Sequence, residues 1–178
     1  LSRKYGPLLT EDRDVFDNCT QTIIRQVGSL ERMVDAFSAF AQMPQPEFES
    51  INLIDLLTDV FFEQGVAFPA IVFRRDGLWP DALPVRGDER LLTQAVTNIY
   101  KNAAEAVLRD ADEKDSSWVG SIETLVIDQG ESFQIIVRDN GPGWPMSDVD
   151  RLLEPYVTTR DGGTGLGLPI VKRIVEDH

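Results

Sequence analysis

From Ile23 to Ala41 the apolar residues Ile23, Val27, Leu30, Val34, Phe37 and Ala41 recur in alternating steps of four and three. That spacing is a heptad-type seam on one face of a helix. With Phe16 added, it predicts a helix from residue 12 to about 42, with Thr10 as its cap and Glu11 and Asp12 in the first turn. Gly28 is the one weak point inside it. A helix of about thirty residues exceeds the usual length in globular domains. Such a stripe can pack on its own domain, but the length favours half of a helical hairpin that dimerises through residues 12–42. MPQPEFES, Met43 to Ser50, then ends the helix with two prolines and marks a boundary. The expected division is 1–46 for the helical part and 47–178 for the rest.

Beyond the boundary the pattern changes. Asn52 is placed to cap a shorter helix, LIDLLTDVFFEQ, whose Leu53, Leu56, Leu57, Val60 and Phe61 share one side. AIVFRRD (70–76) reads as a strand, and a stretch punctuated by Pro80 and Pro84 leads to a short strand near PVRGD. Asp88 is placed to cap a strong helix, ERLLTQAVTNIYKNAAEAVLRD, followed by the acidic loop DADEKDSS (110–117). SIETLVID and SFQIIVRD alternate as a β-hairpin joined around Gln129-Gly130. A glycine- and proline-rich connection follows, then a closing helix from about residue 166. This order predicts an α+β fold, an α/β sandwich with helices on one face of a mixed sheet.

Charge narrows the function classes. The formal net charge is −13 and the pI about 4.4, which argues against a nucleic-acid partner bound by counterion release. An anionic ligand would therefore need backbone amides and a few basic side chains to hold it against the global field. The single cysteine, Cys19, excludes an internal disulfide. No apolar run of about 18 residues and no signal peptide is visible. The chain begins on Leu1 and stops within a helical pattern, which reads as an excised piece of a longer protein.

Four stretches carry chemistry. DNGPG, Asp139 to Gly143, closes a strand and alone reads as an ordinary turn. It also places the Asp139 carboxylate where Gly141 and Gly143 leave room for a flat ring bearing an exocyclic amino group. GGTGLGL, Gly162 to Leu168, could be a linker, but it runs straight into an apolar-periodic helix and so presents free N–H groups to an anion. It has neither the dinucleotide spacing nor a Walker A lysine. In TNIYKNAAEAV, Asn98 and Asn102 lie four apart on one helix. They could simply be solvated, or Asn102 could give a neutral oxygen to a Mg²⁺ already held by phosphates. In EPYVTTR, Glu154 to Arg160, Thr158, Thr159 and Arg160 could form a mobile flap, with Tyr156 at its base and Arg160 available to a phosphate.

Together, NIYKNAAEA, DNGPG, EPYVTTR and GTGLGL resemble, in order, the N, G1, F and G2 boxes of the GHKL ATPase superfamily of gyrase, Hsp90, MutL and histidine kinases. The resemblance covers roughly residues 50 to 178 and implies the Bergerat sandwich with an ATP lid. The hydrolytic members carry a glutamate at the place of Asn98. An asparagine cannot act as a general base, so the chain is similar to a phosphotransfer member. The arm, RKYGPLLTEDRDVFDNCTQTIIRQVGSLERMVDAFSAFAQMPQP, resembles the second dimerisation helix of NtrY-type nitrogen-regulation sensor kinases, and the tail EPYVTTRDGGTGLGLPIVKRIVEDH is similar to the same group.

This resemblance implies ATP and Mg²⁺ as cofactors. Asp139 would bind adenine, Asn102 the metal, and Asn98 would support the same site. Gly141 and Gly143 would give room to the base. Thr158, Thr159, Arg160, Gly163, Thr164, Gly165, Leu166 and Gly167 would line the triphosphate. It further implies a homodimer, an NtrX-like response regulator as partner, and a cytoplasmic portion of a bacterial inner-membrane sensor that meets the membrane only through parts outside this chain. Many sensor kinases place a lysine where Glu105 stands; Lys101 could substitute but should point elsewhere on the helix. Pro169, early in the closing helix, is tolerated. The phosphoacceptor histidine is expected before Leu1, so the chain should bind Mg-ATP without phosphorylating itself. His178, the only histidine, reads as an ordinary exposed terminal residue. The competing readings are an ATP-hydrolysing subunit, a dimeriser that has lost nucleotide, and a serine-kinase anti-sigma factor.

Overall fold

The computed structural model describes residues 13–111, 117–130, 132–144, 150–158 and 163–178. The Thr10, Glu11 and Asp12 cap, most of the acidic loop, and Thr159 and Arg160 lie outside them. The chain divides into two compact units, Leu1–Met43 with Tyr156–Leu166, and Pro44–Pro155 with Gly167–His178.

In the first unit the heptad stripe is on helix α1, Arg13–Ala41. Its apolar face is open to solvent: Ile23, Val27, Leu30 and Val34 are each more than half exposed.

The second unit holds strand β1 (Glu49–Asn52), helix α2 (Leu53–Ala67), strands β2 (Val72–Asp76) and β3 (Pro84–Gly87), and helix α3 (Glu89–Ala111). Strands β4 (Ser121–Asp128) and β5 (Phe133–Asp139), a 3-10 turn (Asp150–Leu153) and helix α4 (Gly167–Asp177) complete it. Asn52 caps α2 as expected, its Oδ1 accepting from the Ile54 amide at 3.2 Å and, across the fold, from the Leu83 amide at 2.9 Å. Asp88 accepts from the Leu91 amide at 3.0 Å and so opens α3.

β2, β4 and β5 form a mixed sheet in that order. β2 runs parallel to β4, with Val72 opposite Ser121, and β4 pairs antiparallel with β5 from Ile122↔Asp139 to Asp128↔Phe133. β1 and β3 form a separate antiparallel pair, Glu49↔Gly87 to Asn52↔Pro84. β1 falls in the stretch that the prolines mark as a break, and only its distant partner makes it a strand.

The alternation of β4 turns Ile122, Thr124 and Val126 inward. Ile122 and Val126 meet Leu53, Leu56, Leu57 and Val60 of α2 and Val96, Tyr100, Ala104 and Val107 of α3 in one core. α3 is the hub, packing on α2, α4, β4 and β5. Its Tyr100, fully buried, shares a 2.7 Å hydrogen bond with the Thr124 hydroxyl, and Trp79 Nε1 donates to the Thr124 carbonyl at 3.2 Å. Burial pushes the Tyr100 phenol above its ordinary pKa, outweighing the Thr124 hydrogen bond and the nearby Arg75 charge.

One expectation needs correction in part. His178 is exposed, as expected, but it is not ordinary: its Nε2 accepts from the Asp88 amide at 2.9 Å and its Nδ1 lies 2.7 Å from the Ile174 carbonyl. The ring also lies 5.1 Å from Phe48. With Nδ1–H donating to a carbonyl, Nε2 is left as the acceptor. Asp88 additionally accepts from the Glu47 amide at 3.0 Å. The end of α4, the start of α3 and the stretch before β1 are thereby tied together, a pairing 90 residues apart in sequence.

Candidate functional site

On α3, positions 99, 102, 103 and 106 follow the i, i+3, i+4, i+7 spacing and share one face. On β5, Val137 and Asp139 are two apart and point the same way. α4 opens at Gly167, with Leu168 next. These elements enclose a cavity of about 300 Å³ lined by Ile99, Asn102, Ala103, Ala106, Val137, Asp139, Gly143, Trp144 and Leu168. That is the lower end of small-ligand sites.

The floor is apolar and low, because Ala103 and Ala106 project only a methyl group each. Asp139 stands at the strand end with its carboxylate held: the Gly141 amide donates to Oδ1 at 3.0 Å. Gly141 is required there. A Cβ on it would sit 2.9 Å from Asp139 Oδ1, 3.1 Å from the Ala106 carbonyl carbon and 3.2 Å from the Val107 nitrogen. The second polar wall is Asn102, and a Cβ on Gly167 would come within 3.5 Å of its Nδ2. The first amides of α4 therefore open beside Asn102, and no acidic residue occupies the first turn of that helix.

The fold thus brings Asn102, Asp139 and Gly143 into one cavity wall, with Gly141 and Gly167 directly behind it. Asn98 lies one turn before Asn102, half-buried and outside that wall. Lys101 is not in the wall either; its Nζ lies 4.0 Å from Glu105 on the solvent side of α3. Sequence reasoning missed the apolar lining. Ile99, Ala103 and Ala106 were legible as the helix face shared with Asn102, and Val137 as the strand neighbour of Asp139. Trp144 had no comparable signal.

The other unit holds Thr158, Gly163, Thr164, Gly165 and Leu166. The Tyr156 amide donates to the Gly165 carbonyl at 3.1 Å, and the Leu166 amide to Thr164 Oγ1 at 3.4 Å. Gly165 has φ +65°, and a Cβ on it would lie 2.6 Å from the Tyr156 carbonyl carbon. Tyr156 itself has φ +69°, unusual for a bulky residue. Its ring lies 6.4 Å from Phe37 of α1.

A profile of the "Histidine kinase-, DNA gyrase B-, and HSP90-like ATPase" family matches residues 87–178. The chain is 49% identical over its full length to the nitrogen regulation protein NtrY of Azorhizobium caulinodans, of which it covers 23%. It spans about a quarter of the length of the curated relatives it matches. Among solved structures, the nucleotide-free catalytic domain of the histidine kinase ThkA superposes with a TM-score of 0.58 at 30% identity, covering 74% of this chain and 81% of that one. The ThkA structure in complex with the response regulator TrrA gives 0.67 at 24% identity, covering 94% of this chain and 46% of that one. The second likeness is one of fold.

Proposed function

The chain belongs to the histidine kinase-, DNA gyrase B- and HSP90-like ATPase family, in its NtrY-type sensor-kinase branch, and from that premise we propose that residues 47–178 bind Mg-ATP and present its γ-phosphate to a histidine of the same kinase. The phosphoryl group would then pass to an aspartate of an NtrX-like response regulator. The observation that carries this reading is the convergence of Asn102, Asp139 and the N-terminus of α4 on one apolar-floored cavity.

The residues present fit the nucleotide. Ile99, Ala103, Ala106 and Val137 offer a low apolar surface to a flat base, and the Gly141-held Asp139 carboxylate accepts from its exocyclic amino group. Asn102 offers a neutral oxygen to Mg²⁺, which needs few protein ligands. The amides opening at Gly167 face the phosphates, a local positive end in a chain of net charge −13. When bound, Mg-ATP supplies the transferable phosphoryl group and the charge neutralisation that such transfer requires. Asn98 supports the Asn102 end of the site and supplies no base, which suits transfer rather than hydrolysis. Gly143 leaves room for the base. By the sequence resemblance alone, Thr158, Thr159, Arg160, Gly163, Thr164, Gly165 and Leu166 are assigned to the triphosphate.

Within residues 1–46, α1 serves as the second helix of a dimerisation region, and its exposed stripe is the surface that pairs. Among the described residues no helix is long and apolar enough to cross a membrane. The chain is the cytoplasmic portion of a bacterial inner-membrane sensor, anchored through other parts of it.

Calorimetric titration of Mg-ATP into the chain and into Asp139→Asn tests the site. The variant is expected to bind about tenfold or more weakly, the size of a lost charge-assisted hydrogen bond. Equal affinity in the two proteins would overturn the adenine assignment. Omitting Mg²⁺ should weaken binding to the parent chain, and no change would remove Asn102 as a metal ligand.

A further inference from the structure

Next to Asp139 stands a side chain with no assigned role, although both ends of its carboxamide are hydrogen-bonded. Asn140 Oδ1 accepts from the Ser121 amide at 2.8 Å, and its Nδ2 donates to the Val119 carbonyl at 2.8 Å. Its own amide donates to the Ser121 carbonyl at 3.2 Å. One carboxamide therefore straps the end of β5 to the entry of β4, spanning both sides of Gly120.

What it straps is already pressed onto α3. A Cβ on Gly120 would lie 2.5 Å from Val107 Cγ1, and one on Gly141 would lie 3.1 Å from the Ala106 carbonyl carbon. Two glycine-bearing segments thus abut the same turn of α3, and Asn140 is the link between them. That turn carries Ala106, part of the cavity floor. The Asp139 carboxylate is held relative to the floor by its pairing with Ile122, by the Gly141 amide, by the close approach of Gly120 and Gly141 to α3, and by the Asn140 strap. Gly120 also holds β2, because its carbonyl accepts from the Val72 amide at 2.8 Å.

We propose that Asn140 is a positioning residue for base recognition, holding the Asp139 carboxylate at the height above α3 where it reads the exocyclic amino group of a purine. The inference rests on the adenine reading of Asp139. Asn140 touches no ligand itself. It acts on the base and not on the phosphates, because the Asn102 and Gly167 end of the site lies on elements it does not bond. Loosening it lets the carboxylate shift relative to the floor, so a base with an amino group loses its advantage over one without.

The test uses Mg-ATP and Mg-inosine triphosphate, which carries an oxo group in place of the amino group, titrated into the 178-residue chain, Asn140→Ala and Asn140→Ser. The parent chain should prefer ATP by about tenfold to a hundredfold. Asn140→Ala should lose about tenfold in ATP affinity and stay within about twofold for inosine triphosphate, so the preference collapses. Asn140→Ser, which keeps one hydrogen-bonding group, should fall between, and it carries the reading should the alanine variant fail to fold. Equal losses for both nucleotides would mean a merely structural role, and no loss would mean none; either overturns the proposal. No ATP preference in the parent chain would overturn the Asp139 reading as well, whereas a preference that survives Asn140→Ala and Asn140→Ser overturns the Asn140 inference alone.

Discussion

α1 and α3 are both long amphipathic helices, 29 and 23 residues, with apolar residues at helical spacing, yet their fates differ. On α3 the stripe is sealed: Leu91, Ala95, Val96, Tyr100, Ala103, Ala104 and Val107 are all under a tenth exposed. On α1, Ile23 is 63% exposed, Leu30 59% and Val34 61%. Periodicity says that a face is apolar; it does not say what covers it. The sheet and two other helices cover α3, whereas the described residues leave the α1 stripe exposed.

The sharpest way to break this comparison is the same substitution on each helix. Leu91→Ala removes a side chain that is 2% exposed and should cost about 2–5 kcal/mol in urea unfolding. A cost under about 1 kcal/mol would mean that the α3 face is looser than its burial indicates.

Tyr100→Phe comes next. It strips the partner from a fully buried Thr124 hydroxyl and should cost about 1–3 kcal/mol. An unchanged urea midpoint would show that the α3–β4 tie contributes nothing.

Asp88→Ala should then cost about 1 kcal/mol at neutral pH through the lost cap. Burial raises the Asp88 carboxyl, but hydrogen bonds from the Glu47 and Leu91 amides, the Arg90 charge and the Arg90 amide together hold it below its ordinary value. Because the folded pKa lies below the unfolded one, the contribution is fully present above the unfolded value of about 3.9 and fades as pH falls through the folded one. Unfolding curves at pH 6 and pH 2.5 should show the difference between parent and variant shrinking in acid. A constant difference would contradict the assigned direction.

The smallest effect is on α1. Leu30→Ala should change unfolding of the second unit by less than about 0.5 kcal/mol. If the stripe pairs two copies, the same variant should weaken the dimer in light scattering across a dilution series. An unchanged association would set that pairing aside.

The comparison also shows why parts of the fold were legible. α1, the Asn52 and Asp88 caps and the β4–β5 hairpin follow from neighbours within a few residues, where periodicity and turn chemistry act. β1 was missed because its hydrogen bonds go to β3, some thirty residues on, through a proline-bearing stretch. His178 was misjudged for the same reason, since its partner Asp88 is 90 residues away. In the site, Asp139, Asn102 and the glycines stood out because polar and permissive residues are conspicuous at element ends. Ala103, Ala106, Val137 and Leu168 did not, because as residue types they are indistinguishable from ordinary core.

The chain alone therefore determined which segments are helix or strand, where the acidic and glycine-bearing turns lie, and which polar groups belong to one constellation. Those properties depend on local spacing and on the chemistry of single side chains. Only the tertiary structure decided that four α3 residues and one β5 pair enclose a shared cavity, that Asn140 straps its rim, and that the α1 stripe stays open. Each of these depends on packing between distant segments, where the contact, not the residue type, carries the free energy.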